Sequence, residues 1–374
     1  MKIGFDAKRF FHNKTGLGNY SRDLVRILAT YFPENNYYLY NPKPKKIDRI
    51  AVDNKIIIEK LPSSEFYKKH YVLWRLFGIK KDIENDNIDI YHGLSGEIPL
   101  FLNLKKTKTI VTIHDLIFMR YPEYYSFIDR KIHYLKFKYA ARKADLVIAI
   151  SEQTKADIIH FLNIEPEKIK VIYQGCAPVF KTEISDEFLK NTQKKYDLPD
   201  EYLLNVGTIE KRKNIFSVIK AIKDTTISLV IVGKKTNYCI PILKYIKENN
   251  LESKIIFLEN VALNELAAIY KSAKIFIYPS VFEGFGIPIV EALYSQVPVI
   301  TNKIGCFPEA GGENSLYIDT ENIAEINKNI VALWHNESQR QQMTQNGLKF
   351  VQKFNDDIIA TNVLKTYTLV LGKE

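Results

Sequence analysis

A glycine-rich loop between a predicted strand and a predicted helix lies in PSVFEGFGIPIVEAL, residues 279–293. Pro288 suits the first turn of that helix, because its fixed φ is helical and its missing N–H is not needed there. Gly284 and Gly286 then lie on a loop whose amides, with the helix N-terminus, can hold phosphate oxygens or sugar hydroxyls. The stretch therefore predicts a ligand-binding strand–loop–helix unit of an α/β protein.

Two acidic residues frame this loop. Glu283 lies on the loop at the end of the strand, and Glu291 lies one turn inside the helix. Both carboxylates are therefore expected to point towards one ligand from different depths. The alternative is a strand–turn–helix with no ligand, in which one glutamate is solvated and the other is interior. The coincidence of strand, glycines, proline and paired acids favours the binding site.

Strands and helices alternate along the chain in two series, separated by a Gly/Pro break at residues 173–178. Apolar runs predict strands at residues 2–7, 37–40, 55–59, 88–92, 109–113 and 146–150, and then at 202–206, 228–232, 254–258, 274–278, 297–301 and 315–318. Near-continuous β-branched runs are typical of parallel strands that are covered on both faces. The 374 residues therefore predict two doubly wound α/β domains, 1–176 and 177–354. Ligands of such sheets bind at the carboxyl ends of strands, so we expect a site in a cleft between the domains.

The net charge of +10 lies entirely on the first series. Residues 1–176 hold 30 Lys and Arg against 20 Asp and Glu, whereas residues 177–374 hold 23 of each. A basic surface attracts phosphates, nucleic acid or anionic lipid, and composition does not choose among them.

The three cysteines lack metal or disulfide spacing, and no apolar run reaches the ~20 residues that span a bilayer. Because the N-terminus is charged, unlike a signal peptide, we expect a cytoplasmic protein.

A second loop carries two cations. It reads NVGTIEKRKN, residues 205–214, and places Arg212 and Lys213 near the start of a helix. The helix dipole disfavours positive charge there. A diphosphate bound between the two side chains would offset that cost, and a solvated basic turn is the alternative.

The first series adds two weaker signals. His114 lies at the carboxyl end of a predicted strand beside an aspartate, which favours a functional histidine over a structural one. Gly16 and Gly18 predict a loop that a ligand approaches closely, or else a tight turn. A dinucleotide cofactor is not expected, because Ser21 stands where the third glycine of G-x-G-x-x-G should be.

Together these motifs resemble glycosyltransferase family 4, a retaining group with the GT-B fold that uses nucleotide sugars. Glu283 and Glu291 match the family's E-x7-E signature. Residues 207–214 are similar to its G-T-x-E-P-R-K-N loop, with a lysine in place of the usual proline. Residues 15–20 resemble its first glycine loop, and His114 belongs to its H-D pair. The likeness covers nearly the whole chain and implies two Rossmann-like domains that face each other across a cleft.

The resemblance implies a role for each residue. Glu291 would accept hydrogen bonds from the donor ribose, while Arg212 and Lys213 would neutralise the donor diphosphate. Glu283 and His114 are the implied catalytic residues, and both would face the transferring sugar. The remaining implied donor-binding residues are Gly16, Gly18, Val261, Gly284, Phe285, Gly286 and Ile287. Front-face displacement assisted by the leaving phosphate is also implied by the resemblance.

The expected partners are a nucleotide-sugar donor and a lipid-linked or cell-surface glycan acceptor. The basic loop resembles relatives that often use GDP-mannose, so mannosyl transfer is favoured over a UDP-sugar-dependent reaction. A catalytically silent protein that binds glycan or nucleic acid is a further alternative, and we expect no nucleic-acid partner. The chain has no Asp-x-Asp motif. Since Arg212 and Lys213 can supply the required charge, we predict no metal and no cofactor.

Two further segments bear on the domains and their surroundings. Residues 65–81 interleave aromatic and basic side chains, including Phe66, Tyr67, Trp74 and Phe77. Such a helix either contacts an anionic membrane or docks on its own domain, and both interpretations stay open. Residues 355–374 predict a closing helix, which by family resemblance crosses back onto the first domain.

Overall fold

The computed structural model describes residues 1–44, 55–100, 104 and 106–373. The chain forms two compact units, one made of Met1–Gln174 with Asn355–Glu374 and the other of Gly175–Phe354. Each unit contains one parallel β-sheet with helices between its strands. The doubly wound α/β class predicted from the sequence is therefore confirmed in both units.

The sheet of the first unit has seven parallel strands in the order β3-β2-β1-β4-β5-β6-β7. The strands are β1 Lys2–Asp6, β2 Asn36–Tyr40, β3 Ile57–Lys60, β4 Ile90–Gly93, β5 Lys108–Ile113, β6 Leu146–Ala149 and β7 Ile169–Val171. Strand order reverses between β1 and β4, and such a reversal opens a crevice at the carboxyl ends of the two strands. Of these seven strands, β7 alone has no counterpart among the predicted ones.

The helices of the first unit cover both faces of this sheet. They are α1 Lys8–His12, α2 Gly16–Tyr31, α3 Glu65–Lys69, α4 Tyr71–Leu73, α5 Ile79–Asn85, α6 Ile117–Arg120, α7 Phe127–Lys143 and α8 Glu152–Asp157. The last helix of the chain, α17 Asp356–Leu371, also belongs to this unit. It packs on α2, and the Tyr367 hydroxyl lies 2.7 Å from His92 Nδ1 on β4.

The sheet of the second unit has six parallel strands in the order β10-β9-β8-β11-β12-β13. The strands are β8 Leu203–Val206, β9 Leu229–Val232, β10 Ile255–Leu258, β11 Ile275–Tyr278, β12 Val299–Asn302 and β13 Leu316–Ile318. The helices are α9 Asp186–Lys195, α10 Ile215–Ala221, α11 Cys239–Glu248, α12 Leu263–Ser272, α13 Ile287–Tyr294, α14 Phe307–Gly311, α15 Ile323–His335 and α16 Glu337–Val351. The order reverses between β8 and β11, so the loops that follow these two strands lie side by side.

The segment 65–81 differs from the single amphipathic helix expected. A π-helical turn at Trp74–Gly78 separates α4 from α5, and Trp74 is buried with its indole N–H donating to Asp82 Oδ2 at 2.6 Å. Phe66 and Phe77 remain exposed. Packing on its own domain is therefore the correct interpretation for Trp74. No helix within the described ranges is long and apolar enough to cross a bilayer.

Candidate active site

The glycine-rich loop joins β11 to α13 in the second unit. Gly286 precedes α13 with a φ of +129°, a conformation that side-chain-bearing residues rarely adopt. Pro288 lies in the first turn of α13, as predicted. Phe285 is buried and packs edge-on against Phe354 at 5.4 Å between ring centroids. Gly284, Phe285 and Gly286 can therefore offer their backbone, with the α13 N-terminus, to a ligand.

Glu283 forms the centre of an ion cluster at this loop. Its Oε1 accepts from Lys213 Nζ at 2.6 Å, and its Oε2 lies 2.8 Å from Arg212 Nη1. The Tyr278 hydroxyl lies 2.7 Å from Lys213 Nζ and 3.1 Å from Glu283 Oε1. Burial alone would raise the pKa of Glu283, but Lys213 and then Arg212 lower it to about 2. The carboxylate therefore stays ionised throughout the physiological range.

The two cations tie the β8 loop to the β11 loop. Arg212 donates to the Phe282 carbonyl at 2.6 Å and to Glu210 Oε1 at 2.6 Å. The Val281 N–H in turn donates to the Arg212 carbonyl at 2.9 Å. Glu283 and Glu210 thus supply counter-charges to the two cations, for which the sequence predicted a bound diphosphate or, alternatively, solvent. An incoming diphosphate would exchange with a carboxylate rather than enter an unpaired cationic site.

Glu291 has the opposite electrostatic environment. It lies one turn into α13, where the Tyr270 hydroxyl of α12 donates to Oε2 at 3.0 Å. Burial raises the pKa of Glu291 to about 7, although the Tyr270 bond works against this shift. The two glutamates of the E-x7-E pair therefore differ in charge state near neutral pH. Two neighbouring acids whose pKa values differ in this way are typical of sites in which the two carboxyl groups have different roles.

Sequence reasoning missed several residues of this cluster. Tyr270 and Tyr278 contact the two glutamates, yet no local motif marks either tyrosine as functional. Gly207 has a φ of +152° and lies beside the Lys213 side chain, so a glycine is required there. Val261 is half-buried between β10 and α12. The structure places it after the carboxyl end of β10, the edge at which the other loops of the cluster lie.

His114 follows β5 in the first unit, at the strand end that the sequence predicted. Its Nε2–H donates to the Leu94 carbonyl at 2.9 Å, and Gln174 Nε2 donates to its Nδ1 at 3.1 Å. The Tyr20 ring packs edge-on against the imidazole at 4.6 Å between centroids. Burial lowers the pKa of His114 to about 4. The ring is therefore neutral, with both nitrogens bonded to the protein.

The glycine loop expected around Gly16 and Gly18 is a helix start instead. Helix α2 begins at Gly16, so both glycines lie in its first turn. A Cβ on Gly18 would lie 1.9 Å from the Asn13 carbonyl oxygen, whereas one on Gly16 would meet open space. The glycine at position 18 is thus required by the close approach of the Asn13 backbone.

In the part of the chain that the structure describes, no three His, Cys, Asp or Glu side chains come together as a group able to hold a metal ion. The carboxylates of the second-unit cluster are occupied by cations and hydroxyls of the protein. The positive charge of this cluster is provided by Arg212 and Lys213.

Two family models match the chain, one in each half. The model for Glycosyltransferase Family 4 matches residues 16–178, and that for glycosyl transferases group 1 matches residues 186–350. A glycosyltransferase from Rickettsia africae has a similar structure, with a TM-score of 0.79 at 16% identity over 100% of this chain and 99% of that one. The chain therefore belongs to the family 4 glycosyltransferases, and its fold is GT-B.

Two relatives are named as mannosyltransferases of the O-antigen chain. O-antigen chain mannosyltransferase B of Escherichia coli is 26% identical over 99% of this chain and 100% of its own length. An O-antigen chain mannosyltransferase of Salmonella typhimurium is 32% identical over 60% of this chain and 59% of its own length. The protein is thus a glycosyltransferase with mannosyltransferases among its relatives.

Proposed function

We propose that the protein is a retaining transferase that moves mannose from GDP-mannose to a lipid-linked or cell-surface glycan. The observation that carries the proposal is the ion cluster of Glu283, Arg212 and Lys213 beside Glu291, at the strand-order reversal of the second sheet. Ligands of doubly wound sheets bind at such reversals. The choice of mannose is supported by the relatives named mannosyltransferases.

In this proposal the second unit binds the donor. Glu291 accepts hydrogen bonds from the two ribose hydroxyls, and the backbone at Val261 contacts the base. Arg212 and Lys213 neutralise the diphosphate, whose negative charge grows as the sugar bond breaks. Stabilisation of developing charge is usually the largest contribution to catalysis. Since the two cations supply this charge, the proposed reaction needs neither a metal nor a cofactor.

The loop before α13 completes the donor site. The phosphate and sugar oxygens would be held by backbone amides at the end of the loop and the start of the helix. These amides belong to Gly284, Phe285, Gly286 and Ile287. When the diphosphate takes over Lys213 and Arg212, the carboxylate of Glu283 is released to accept hydrogen bonds from sugar hydroxyls.

His114 is proposed to contact the transferring sugar, with Gly16 and Gly18 in the adjoining helix start. Its ring is neutral and its Nε2 proton is held by the Leu94 carbonyl. A role in positioning therefore fits His114 better than proton transfer. In front-face displacement the acceptor oxygen forms its bond to the anomeric carbon as the phosphate leaves. The acceptor proton then passes to the leaving phosphate oxygen.

We also propose that the protein works at the cytoplasmic face of a membrane and contacts it through α7. This helix exposes Phe127, Ile128 and Leu135, with 73%, 69% and 57% of each residue accessible. Lys131 and Lys136 of the same helix are exposed close to these apolar groups in the sequence. A helix with apolar and basic exposed residues suits an anionic bilayer surface.

Calorimetric titration of GDP, UDP and ADP into the full-length protein tests the donor assignment. We expect GDP to bind at least ~10-fold more tightly than UDP, and Glu291→Ala to weaken GDP by a similar factor because a charged acceptor is lost. Mannose transfer should continue in EDTA. Preferential UDP binding would replace GDP-mannose with a UDP-sugar. Absence of any nucleotide binding would contradict the proposed reaction.

A further inference from the structure

A second charged cluster lies at the strand-order reversal of the first sheet, outside the donor site. Asp6 ends β1, and Lys8 and Arg9 follow it at the start of α1. Arg75 forms bonds to Asp6 Oδ2 at 2.6 Å and to Glu97 Oε2 at 2.6 Å. Glu97 follows β4, the strand beside β1 at the reversal. The cluster therefore occupies the crevice position where doubly wound sheets bind ligands.

The charges of this cluster do not balance. Its two carboxylates, Asp6 and Glu97, are already paired with Arg75, and Glu97 also lies 3.3 Å from Lys136 Nζ. Lys8 and Arg9 add two further positive charges. Among the described residues, neither the Lys8 ammonium nor the Arg9 guanidinium makes a hydrogen bond or an ion pair. Both side chains are only half-exposed.

Partial burial of a cation without a counter-charge costs free energy. The same burial lowers the pKa of a lysine, and the positive charge lowers the pKa of neighbouring basic groups. Burial lowers the pKa of Lys8, and the Arg75 charge lowers it further, while Glu97 and Asp6 compensate only in part. Arg9 lies close enough to His114 that, after burial, its charge contributes to the lowered pKa of that imidazole. The surplus charge thus adjoins the residue proposed to face the transferring sugar.

We propose that Lys8 and Arg9 bind a phosphate group of the acceptor, so that the acceptor is a glycan carried on a phosphate or diphosphate. The inference rests on the proposed function, because the donor diphosphate is assigned there to Arg212 and Lys213 in the second unit. A phosphate provides the missing counter-charge and accepts hydrogen bonds from both cations. Its position beside His114 brings the acceptor to the carboxyl edge of the first sheet.

Inorganic pyrophosphate is the probe, titrated calorimetrically into the full-length protein with and without saturating GDP. We expect one binding event that GDP abolishes and a second that GDP leaves intact. The double variant Lys8→Gln, Arg9→Gln should weaken the GDP-insensitive event at least ~10-fold, since charge-assisted hydrogen bonds are lost. The control variant Lys14→Gln, Lys170→Gln removes the same charge from exposed positions of the same unit and should leave it unchanged.

Other outcomes overturn the inference. Equal weakening in the test and control variants would mean that only net charge matters. Loss of binding to phosphatidylglycerol vesicles with pyrophosphate binding retained would assign the cations to the membrane surface. Thermal unfolding checks the fold of the double variant, and Arg9→Gln alone serves if that variant unfolds. If GDP competes with neither pyrophosphate-binding event, the donor assignment to Arg212 and Lys213 fails. The comparison of the Lys8 and Arg9 variants with the control variant still decides whether these two cations bind a phosphate group.

Discussion

Lys213 Nζ lies 2.6 Å from Glu283 Oε1, and the Tyr278 hydroxyl contacts both groups. The cation proposed to bind the donor diphosphate is therefore paired with a carboxylate of the protein. Burial, opposed by the two neighbouring cations, leaves the pKa of Glu283 at about 2, so protonation does not release Lys213 at working pH. We expect phosphate oxygens of the donor to replace this carboxylate at Lys213.

Glu283→Gln should consequently tighten GDP binding while slowing sugar transfer. The amide keeps the shape of the side chain but leaves Lys213 and Arg212 without their shared counter-charge, and we expect about a 10-fold gain in GDP affinity. The matched control is Glu210→Gln, which removes the other carboxylate bonded to Arg212. Calorimetry and initial rates measure both effects. Weaker GDP binding in Glu283→Gln would contradict the exchange of carboxylate for phosphate.

Replacing both cations should separate nucleoside from nucleotide binding. Arg212→Ala with Lys213→Ala removes the charges proposed to face the diphosphate, so we expect GDP affinity to fall about 100-fold while guanosine affinity stays constant. The variant also leaves Glu283 buried without cations, which costs roughly 3–5 kcal/mol of stability. Thermal unfolding must therefore accompany the titrations. Equal losses for guanosine and GDP would show that the diphosphate lies elsewhere.

The affinity for GDP should rise with pH through about 7. Burial raises the pKa of Glu291 to about 7, so the carboxylate that accepts the ribose hydroxyls is partly protonated at neutral pH. Binding selects the ionised form and releases protons, which calorimetry in buffers of different ionisation enthalpy counts directly. In Tyr270→Phe the bond that lowers this pKa is absent. The midpoint should then move to higher pH, and an unmoved midpoint would remove Glu291 from the ribose site.

The first unit should lose stability as the pH falls from 7 to 5. Burial lowers the pKa of His92 to about 3 and that of His114 to about 4, below the value of 6.5 that an exposed histidine has. The unfolded chain therefore binds more protons in this range, and each histidine costs about 2 kcal/mol.

Hydrogen exchange resolved by unit is the measurement, because the raised pKa of Glu291 gives the second unit the opposite dependence. His114→Gln should remove about half of the slope in the first unit. An unchanged slope would show that other groups titrate.

Helix α17 should stabilise the first unit although it ends the chain. Tyr367 Oη lies 2.7 Å from His92 Nδ1 in the core, and Asp356 pairs with Arg26 of α2 at 2.7 Å. Tyr367→Phe should cost about 1–3 kcal/mol, since a buried ring nitrogen loses its partner. Leu369→Ala, on the exposed side of the same helix, is the control. Deletion of residues 355–374 should lower exchange protection on β4 and β5, and loosening confined to the second unit would contradict this role.

Local periodicity predicted most strands because the central strands of both sheets are apolar and buried on both faces. The run predicted at 274–278 is observed as Ile275–Tyr278, and the loop and Pro288-led helix follow as expected. The same reasoning gave no helix over Phe127–Lys143, since that helix exposes many of its apolar residues and its pattern lacks a clear buried face. The sequence left the place of Trp74 open for the converse reason: its burial depends on Asp82 and on the surrounding core.

The glutamate pair and the cationic loop were recognised from spacing alone, because strand–loop–helix units impose a fixed order on their residues. The residues that contact these groups in the folded protein were not recognised. Tyr270 lies on a helix that precedes β11, and only the packing of α12 beside α13 brings its hydroxyl to Glu291. Likewise, no sequence pattern indicates that Gly18 makes room for the Asn13 carbonyl rather than for a ligand.

The amino-acid sequence by itself determined the α/β class, the two series of strands and the loops that hold Glu283, Glu291, Arg212 and Lys213. These features follow from local periodicity, turn chemistry and motif spacing. The tertiary structure decided the charge state of each group, since pKa depends on burial and on neighbours distant in the chain. It holds Glu283 ionised between two cations, leaves Glu291 near its midpoint and keeps His114 neutral. Charge states arise from packing, which no local pattern encodes.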